Sequence, residues 1–479
     1  MLEIAKADIL ARLRFDNPWW ESGEQKIRYE ENPRRKYFET FSQRLLETQV
    51  QRAIVVMGPR RVGKTVMVYH GIRLLIDSGI RARAILYISL ETPIYTGLSL
   101  EQIVGYFQEL FGHDRHDQLF IFFDEIQYLR AWEVHLKSLV DSFPSYRFVA
   151  TGSAAAALRL KSQESGAGRF SDYVLPPLTF AEYLMFIGRE DELIKTEVNG
   201  LGGYEYFPLN VDLLNEEFVN YLNFGGYPEA VFSEVIRSDP GQYIKSDIID
   251  KVLLRDLPSL YGISDIQELN RLFTTLAYNS GSEISLEGLS KSSGVAKNTI
   301  KRYLEYLEAA FLIRRVERID QNAKRFKRAM YFKVYLTNPS MRAALFGQMG
   351  GDDRGMGAMA ETAIFSQWQH LKRVELFYAR WGGGEVDMVC LDPVDQLPVW
   401  MVEVKWSDRP YRVSSELDAC VEFVRKNPGV SQPIRVTSRT VQDSRFVYQG
   451  VRFQFELASL YAYRLGANIM GGAGVGGFI

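Results

Sequence analysis

Residues 53–65 read AIVVMGPRRVGKT. The apolar, β-branched run AIVVM predicts a strand buried on both faces. It passes directly into Gly58, Pro59, Arg60, Arg61, Val62, Gly63, Lys64 and Thr65, and the helix-spaced TVMVYHGIRLLI follows. This is G-x-x-x-x-G-K-T between a strand and a helix, the context a phosphate-binding loop needs. Glycines at both ends let the backbone curl until successive N–H groups point at phosphate oxygens. The helix behind presents its positive end to the same anion. Lys64 is expected to reach the β- and γ-phosphates, and the Thr65 hydroxyl to ligate Mg²⁺. The expected cradle runs from Gly58 to Val66.

Further apolar runs flank this one: AILYISL (84–90), LFIFFDE (119–125) and RFVATGS (147–153), separated by amphipathic stretches. The alternation predicts an α/β domain with a parallel sheet covered on both faces. LFIFFDE ends in Asp124 and Glu125. Asp124 is expected to share the Mg²⁺ shell, and Glu125 to polarise a water against the γ-phosphate. Ser153, at the tip of the next strand, is read either as a residue that orients water or senses the γ-phosphate, or as a plain turn.

The chain has 479 residues, 46% hydrophobic and 24% charged. That is globular usage with room for about three domains, and it excludes a disordered, collagen-like or disulfide-built chain. Acidic and basic residues nearly cancel, 59 against 57. Contact with nucleic acid therefore needs a local basic patch. Cys390 and Cys420 sit in apolar runs without CxxC spacing, as buried thiols of a reducing compartment do. The charged N-terminus does not read as a signal peptide, and no run is long enough to span a membrane. The expectation is a cytoplasmic protein with no membrane partner.

The division expected is a lead-in over 1–48, an ATPase-type domain over 49–235, a helical and winged-helix region over 236–329, a second α/β domain over 330–465 and a Gly-rich tail over 466–479. No chemistry is assigned to the lead-in, and Trp19 and Trp20 are read as packing. From 176 to 275 the spacing is helical. Residues 283–318 pattern as helix, turn at Gly294, second helix, then strand. Between 284 and 330 there are 11 Lys and Arg against 5 Asp and Glu, with KRFKR at 324–328 as a basic edge. Phosphate contact in a major groove and a rigid arm without DNA both fit this pattern.

The last domain brings a third constellation. Asp387 lies in EVDMVCL, Glu403 and Lys405 in WMVEVKW, and Glu361 opens the helix ETAIFSQWQHL. Two residues apart on a strand, Glu403 and Lys405 share a face. A hairpin would set Asp387 beside them, with Glu361 packed across. Converging carboxylates hold a hard divalent cation, and a lysine positions or helps deprotonate the attacking water. The spacing D-x₁₅-E-x-K resembles the PD-(D/E)XK nuclease superfamily, with no Pro before Asp387. The resemblance implies metal ligands Glu361, Asp387 and Glu403 and a catalytic role for Asp387, Glu403 and Lys405. A core that binds without cutting and a structural ion pair remain the other readings.

GPRRVGKT, IFFDEIQ, ATGSAAA, GAGRFSDYVLPPLTFAEYL and NFGGYPEAVF together resemble a prokaryotic family of AAA+ ATPases fused to a C-terminal domain long catalogued as of unknown function. The resemblance spans about residues 50–410. It implies ATP rather than GTP, with Glu125 as the catalytic glutamate. It also implies that Arg169, in GAGRFSDY, contacts the γ-phosphate or a neighbouring subunit's nucleotide; a structural salt bridge is the other reading. The functional expectation is an ATPase, with ATP and Mg²⁺, coupled to a metal-dependent nuclease acting on nucleic acid, DNA being the favoured class. The alternative is an ATP-locked scaffold that binds DNA or a protein without cutting. A homo-oligomer is required if Arg169 acts in trans.

Overall fold

The computed structural model describes residues 5–21, 26–47, 49–152, 168–198, 203–324, 331–371 and 374–470. The chain divides into two compact units, Met1–Pro176 and Pro177–Ile479.

In the first unit, β1 (Ala53–Met57), β2 (Ile85–Ser89), β3 (Phe120–Asp124), β4 (Arg147–Gly152) and β5 (Phe170–Val174) form one parallel sheet in the order β2-β3-β4-β1-β5. Every residue of β1, β3 and β4 is buried, as parallel strands covered on both faces require. Pairing of Met57 with Gly152, and of Ser89 with Asp124, aligns the carboxyl ends of the strands along one edge. Ligands of open parallel sheets bind at that edge. The helix Lys64–Asp77 starts there.

The lead-in covers the β2 flank of the sheet. β2 is an edge strand with main-chain groups to satisfy. The Asn17 amide donates to the Tyr87 carbonyl (2.9 Å) and accepts from the Tyr87 N–H (2.6 Å). The indole N–H groups of Trp19 and Trp20 both donate to the Ile85 carbonyl, at 3.2 and 2.7 Å. Asn17 therefore acts as one added rung of the sheet, and the two tryptophans pack as the sequence suggests.

The second unit holds a hairpin and a mixed sheet. The hairpin pairs β6 (Ile194–Val198) with β7 (Tyr204–Pro208). It lies where the spacing predicts only helix; IKTEV and YEYFP flank the Gly-rich NGLGG, a turn signal that outweighs the flanking helical pattern. The sheet has nine strands: β8 (Glu283–Ser285), β9 (Ile313–Ile319), β10 (Tyr331–Leu336), β11 (Leu376–Trp381), β12 (Gly384–Leu391), β13 (Pro398–Glu403), β14 (Ile434–Ser438), β15 (Ser444–Tyr448) and β16 (Val451–Leu457). Their order is β15-β16-β14-β13-β12-β11-β9-β10-β8. Alternate residues of β12 face opposite layers. Met388 and Cys390 pack with the helices Met356–Trp368 and Ala458–Met470, whereas Val389 and Leu391 pack with the helix Asp418–Lys426.

The helix–turn–helix pattern is present as the helices Leu286–Ser293 and Lys297–Ala309, joined through Gly294 at φ +73°. Its strands are not a separate sheet. β10 pairs antiparallel with β8 and β9, and β9 pairs in parallel with β11, Phe377 opposite Glu317. Of the basic run 324–328, only Lys324 lies within the described residues, and the tail beyond Met470 lies outside them. Among the described residues no helix is long and apolar enough to cross a membrane.

Candidate functional site

The loop 58–65 is held by close packing and left-handed backbone. A Cβ on Gly58 would come within 2.1 Å of the Leu175 carbonyl oxygen, whose own N–H bonds Met57. Gly63 sits at φ +93° and Arg61 at +64°. Gly58→Ala is expected to force this contact apart and destabilise the first unit by about 1–3 kcal/mol, the range of overpacking, read as an earlier calorimetric transition. Lys64 is buried, and its ammonium donates to the Gly58 and Pro59 carbonyls at 3.1 and 2.7 Å. The loop is therefore curled around the lysine that would meet an anion.

Beside it the sheet delivers one carboxylate. Asp124, 3% exposed, ends β3. Its Oδ2 accepts from Thr65 Oγ1 (2.9 Å) and Tyr87 Oη (2.9 Å), and its Oδ1 accepts from Thr151 Oγ1. Three hydroxyls satisfy a charge that burial would otherwise make costly. Burial and Asp124 drive the Tyr87 phenol well above its ordinary range, so it remains a donor. Glu125 follows at φ +55°, a strained position for a residue with a side chain. Its N–H donates to Thr151 Oγ1 (3.1 Å), and its carboxylate accepts from the Gln127 amide. Burial raises the Glu125 carboxyl above the usual range, with Lys64 opposing.

Thr65 and Asp124 are thus brought together, with Glu125 adjoining. Ser153 lies outside the described residues. Thr151, two positions earlier, ties Asp124 to Glu125; its signal is a polar residue near the end of the apolar RFVATG. Tyr87 gave no signal, since it reads as an ordinary strand aromatic. The structure does not bring Arg169 to the loop. Its carbonyl pairs with Ala53 at the start of β1, the end remote from the phosphate loop, and its guanidinium, 44% exposed, pairs with Asp141 at 2.6 Å.

The second unit holds a cluster of its own. Register between β12 and β13 pairs Met388 with Val402 and so sets Asp387 against Glu403. The Asp387 N–H donates to Glu403 Oε2 (3.4 Å). Lys405 Nζ lies 3.2 Å from Asp387 Oδ2 and 2.6 Å from Glu403 Oε1. The Glu361 carboxylate accepts from Lys333 Nζ (3.0 Å) and Tyr335 Oη (2.5 Å); burial raises it, with Lys333 opposing and nearby Asp387 adding to the rise. Lys333, 2% exposed on β10, also reaches Glu385 (2.7 Å) and Asp387 (3.7 Å). Burial would lift Asp387, but Lys405 and Lys333 outweigh it and hold the carboxyl low. Glu403 is pushed up to about 7 by burial and by Asp387. Lys333 went unread in YFKVYL, although a cation in an apolar strand is the same signal that marks MVEVKW.

Oxygen donors suit a hard cation at both places, Thr65 with Asp124 and Asp387 with Glu403. At the second, Lys405 lies between the carboxylates, and Lys333 reaches both Glu361 and Asp387. Among the described residues no group of three or more His, Cys, Asp or Glu side chains is placed to hold a metal ion.

Comparison with known proteins accords with the first site. Residues 50–184 match a family model described as "AAA domain", so this part of the chain carries a P-loop AAA domain. Residues 215–352 match one described as "Domain of unknown function (DUF8612)". Among curated proteins, this chain is 26% identical over 333 residues to the uncharacterized protein MJ1637 of Methanocaldococcus jannaschii, covering 67% of this chain and 68% of the relative. It is 26% identical over 310 residues to an uncharacterized protein of Haemophilus influenzae, covering 62% and 70%. Among solved structures, C. elegans PCH-2 (14% identity, 57% of this chain and 65% of that one) gives a TM-score of 0.25. The replication initiator DnaA bound to AMPPCP and single-stranded DNA (12%, 57% and 86%) gives 0.28. Both scores are too low to define a shared fold.

Proposed function

We propose that this chain binds and hydrolyses ATP, and that its nucleotide state governs a nucleic-acid-directed activity of the second unit, DNA being the favoured substrate. The observation that carries the first half is the convergence of Thr65, Tyr87 and Thr151 on Asp124 beside the curled 58–65 loop. In this reading the loop amides and Lys64 grip the phosphates. Thr65 and Asp124 would hold Mg²⁺, which neutralises charge on the β- and γ-phosphates. Glu125 orients and polarises the attacking water. Arg169, remote from its own loop, would act on the nucleotide of a second copy, in a homo-oligomer. Ser153, outside the described residues, would orient the water or sense the γ-phosphate.

For the second half, the support is the pairing of Asp387 and Glu403 around Lys405. Asp387 and Glu403 would supply oxygens to a divalent cation, and Lys405 would offset phosphodiester charge. The strand–helix–turn–helix–strand segment 283–336, read as a winged helix, would hold the nucleic acid. The test is incubation of supercoiled and linear DNA with Mg²⁺ or Mn²⁺, with and without ATP. Nicking is expected, and Asp387→Ala or Lys405→Ala should each reduce it at least 100-fold. Nicking that both variants retain would place the cleavage elsewhere.

One observation favours a second reading. Glu361, the third expected ligand, is held by Lys333 and Tyr335. A cluster whose carboxylates are engaged by its own lysines suits an ATP-dependent cytoplasmic switch whose second unit binds DNA or a protein partner without cutting. Absence of nicking under every nucleotide, with ATP hydrolysis intact, is the result this reading expects.

A further inference from the structure

The lead-in contributes a residue to the nucleotide site. Arg35, 6% exposed, donates from Nη1 to the Val62 carbonyl (2.9 Å) and from Nη2 to the Pro176 carbonyl (3.1 Å). Val62 is the last residue before the second glycine of the loop. Pro176 follows β5, directly after the Leu175 carbonyl that crowds Gly58. One planar guanidinium thus spans two main-chain segments that bracket the loop, a geometry that a lysine cannot reproduce.

The consequence follows from the peptide plane. The Val62–Gly63 bond is trans, the only cis bond described being Gln432–Pro433. In a trans peptide the carbonyl and the next N–H point in opposite directions. A Val62 carbonyl drawn to Arg35 therefore sends the Gly63 N–H away from Arg35. Lys64, next in sequence, reaches back across the bend to lay its ammonium on the Gly58 and Pro59 carbonyls. Amides of such a bend cradle the α- and β-phosphates. We propose that Arg35 is a positioning residue of the nucleotide site: by holding the Val62 carbonyl it aims the Gly63 N–H at the β-phosphate. The proposal rests on the reading of 58–65 as a nucleotide cradle.

The arrangement also explains why the loop can hold its shape with Gly63 in left-handed backbone. That glycine gains no side-chain packing of its own, since a Cβ there would meet nothing within 4 Å. The restraint on its peptide comes instead from the preceding carbonyl. Loss of the restraint frees the peptide to rotate and costs a hydrogen bond to a charged donor.

The measurement is competition of ADP and AMP against a fluorescent ADP analogue on the full chain, in wild type, Arg35→Gln and Arg35→Lys. Wild type should prefer ADP, and the AMP-to-ADP ratio of dissociation constants reads the grip on the β-phosphate. Arg35→Gln should collapse that ratio about tenfold, and Arg35→Lys several-fold, chiefly by weakening ADP. Arg35→Lys keeps the charge and the bulk, so it carries the test if Arg35→Gln does not fold. A ratio unchanged in a folded variant, or AMP and ADP weakened equally, overturns the assignment and reduces Arg35 to a structural clamp. A wild-type chain that binds neither nucleotide sinks the cradle reading itself, and the role of Arg35 with it.

Discussion

Replacement of Lys64 by alanine should weaken ATP binding at least 30-fold, with the fold of the first unit retained. The ammonium is buried beside Gly58 and Pro59, and its bonds there are to neutral carbonyls. A triphosphate offers anionic oxygens, and charge-assisted bonds to them are worth roughly twice a neutral one, about 1.5–3 kcal/mol each. The loss of one such contact is about 2 kcal/mol, which is the 30-fold quoted. Alanine removes the charge together with two internal bonds, so the nucleotide-free melting temperature must be measured alongside affinity. Affinity within threefold of wild type would show that Lys64 does not touch phosphate.

The largest kinetic effect is expected at Glu125. Glu125→Gln should bind ATP as wild type does and hydrolyse it 10²–10⁴-fold more slowly, the usual contribution of a positioned general base. Glutamine keeps the shape, the left-handed backbone at φ +55° and the N–H bond to Thr151, so only the base is lost. Burial already disfavours the charged form of this carboxyl, which makes it a stronger proton acceptor than an exposed glutamate once it is ionised. Single-turnover phosphate release and trapped ATP after gel filtration read the two halves separately. A variant that hydrolyses ATP at the wild-type rate would remove Glu125 from the water-activating role.

The first unit was the more legible of the two because its signals are local. Strands buried on both faces write themselves as runs such as AIVVM and FIFFD, and the phosphate loop is contiguous in sequence. Asp387 and Glu403 were legible for a similar reason, since a hairpin joins neighbours in the chain. What escaped are contacts made at long range by residues that look ordinary. Arg35 reaches Pro176 across 141 positions, and Asn17 reaches Tyr87 across 70. Glu361, expected to open its helix, lies inside the helix Met356–Trp368, and Lys333 and Tyr335, two apart on β10, hold its carboxylate. The hairpin β6–β7 was lost between helices that share its composition. Periodicity reports which face of an element is buried, not which distant main-chain group a guanidinium will find.

The pairing of β9 with β11 has a mechanical corollary. Because β8, β9 and β10 share a continuous main-chain ladder with β11, β12 and β13, they cannot swing on a tether. A load applied to the helix Lys297–Ala309 is passed on as shear along the strands. β10 bears the Lys333 ammonium that braces Glu361, Glu385 and Asp387, so a slip of one rung there would withdraw the cation of Glu361 and leave Asp387 to Lys405 and Glu385 to Arg380.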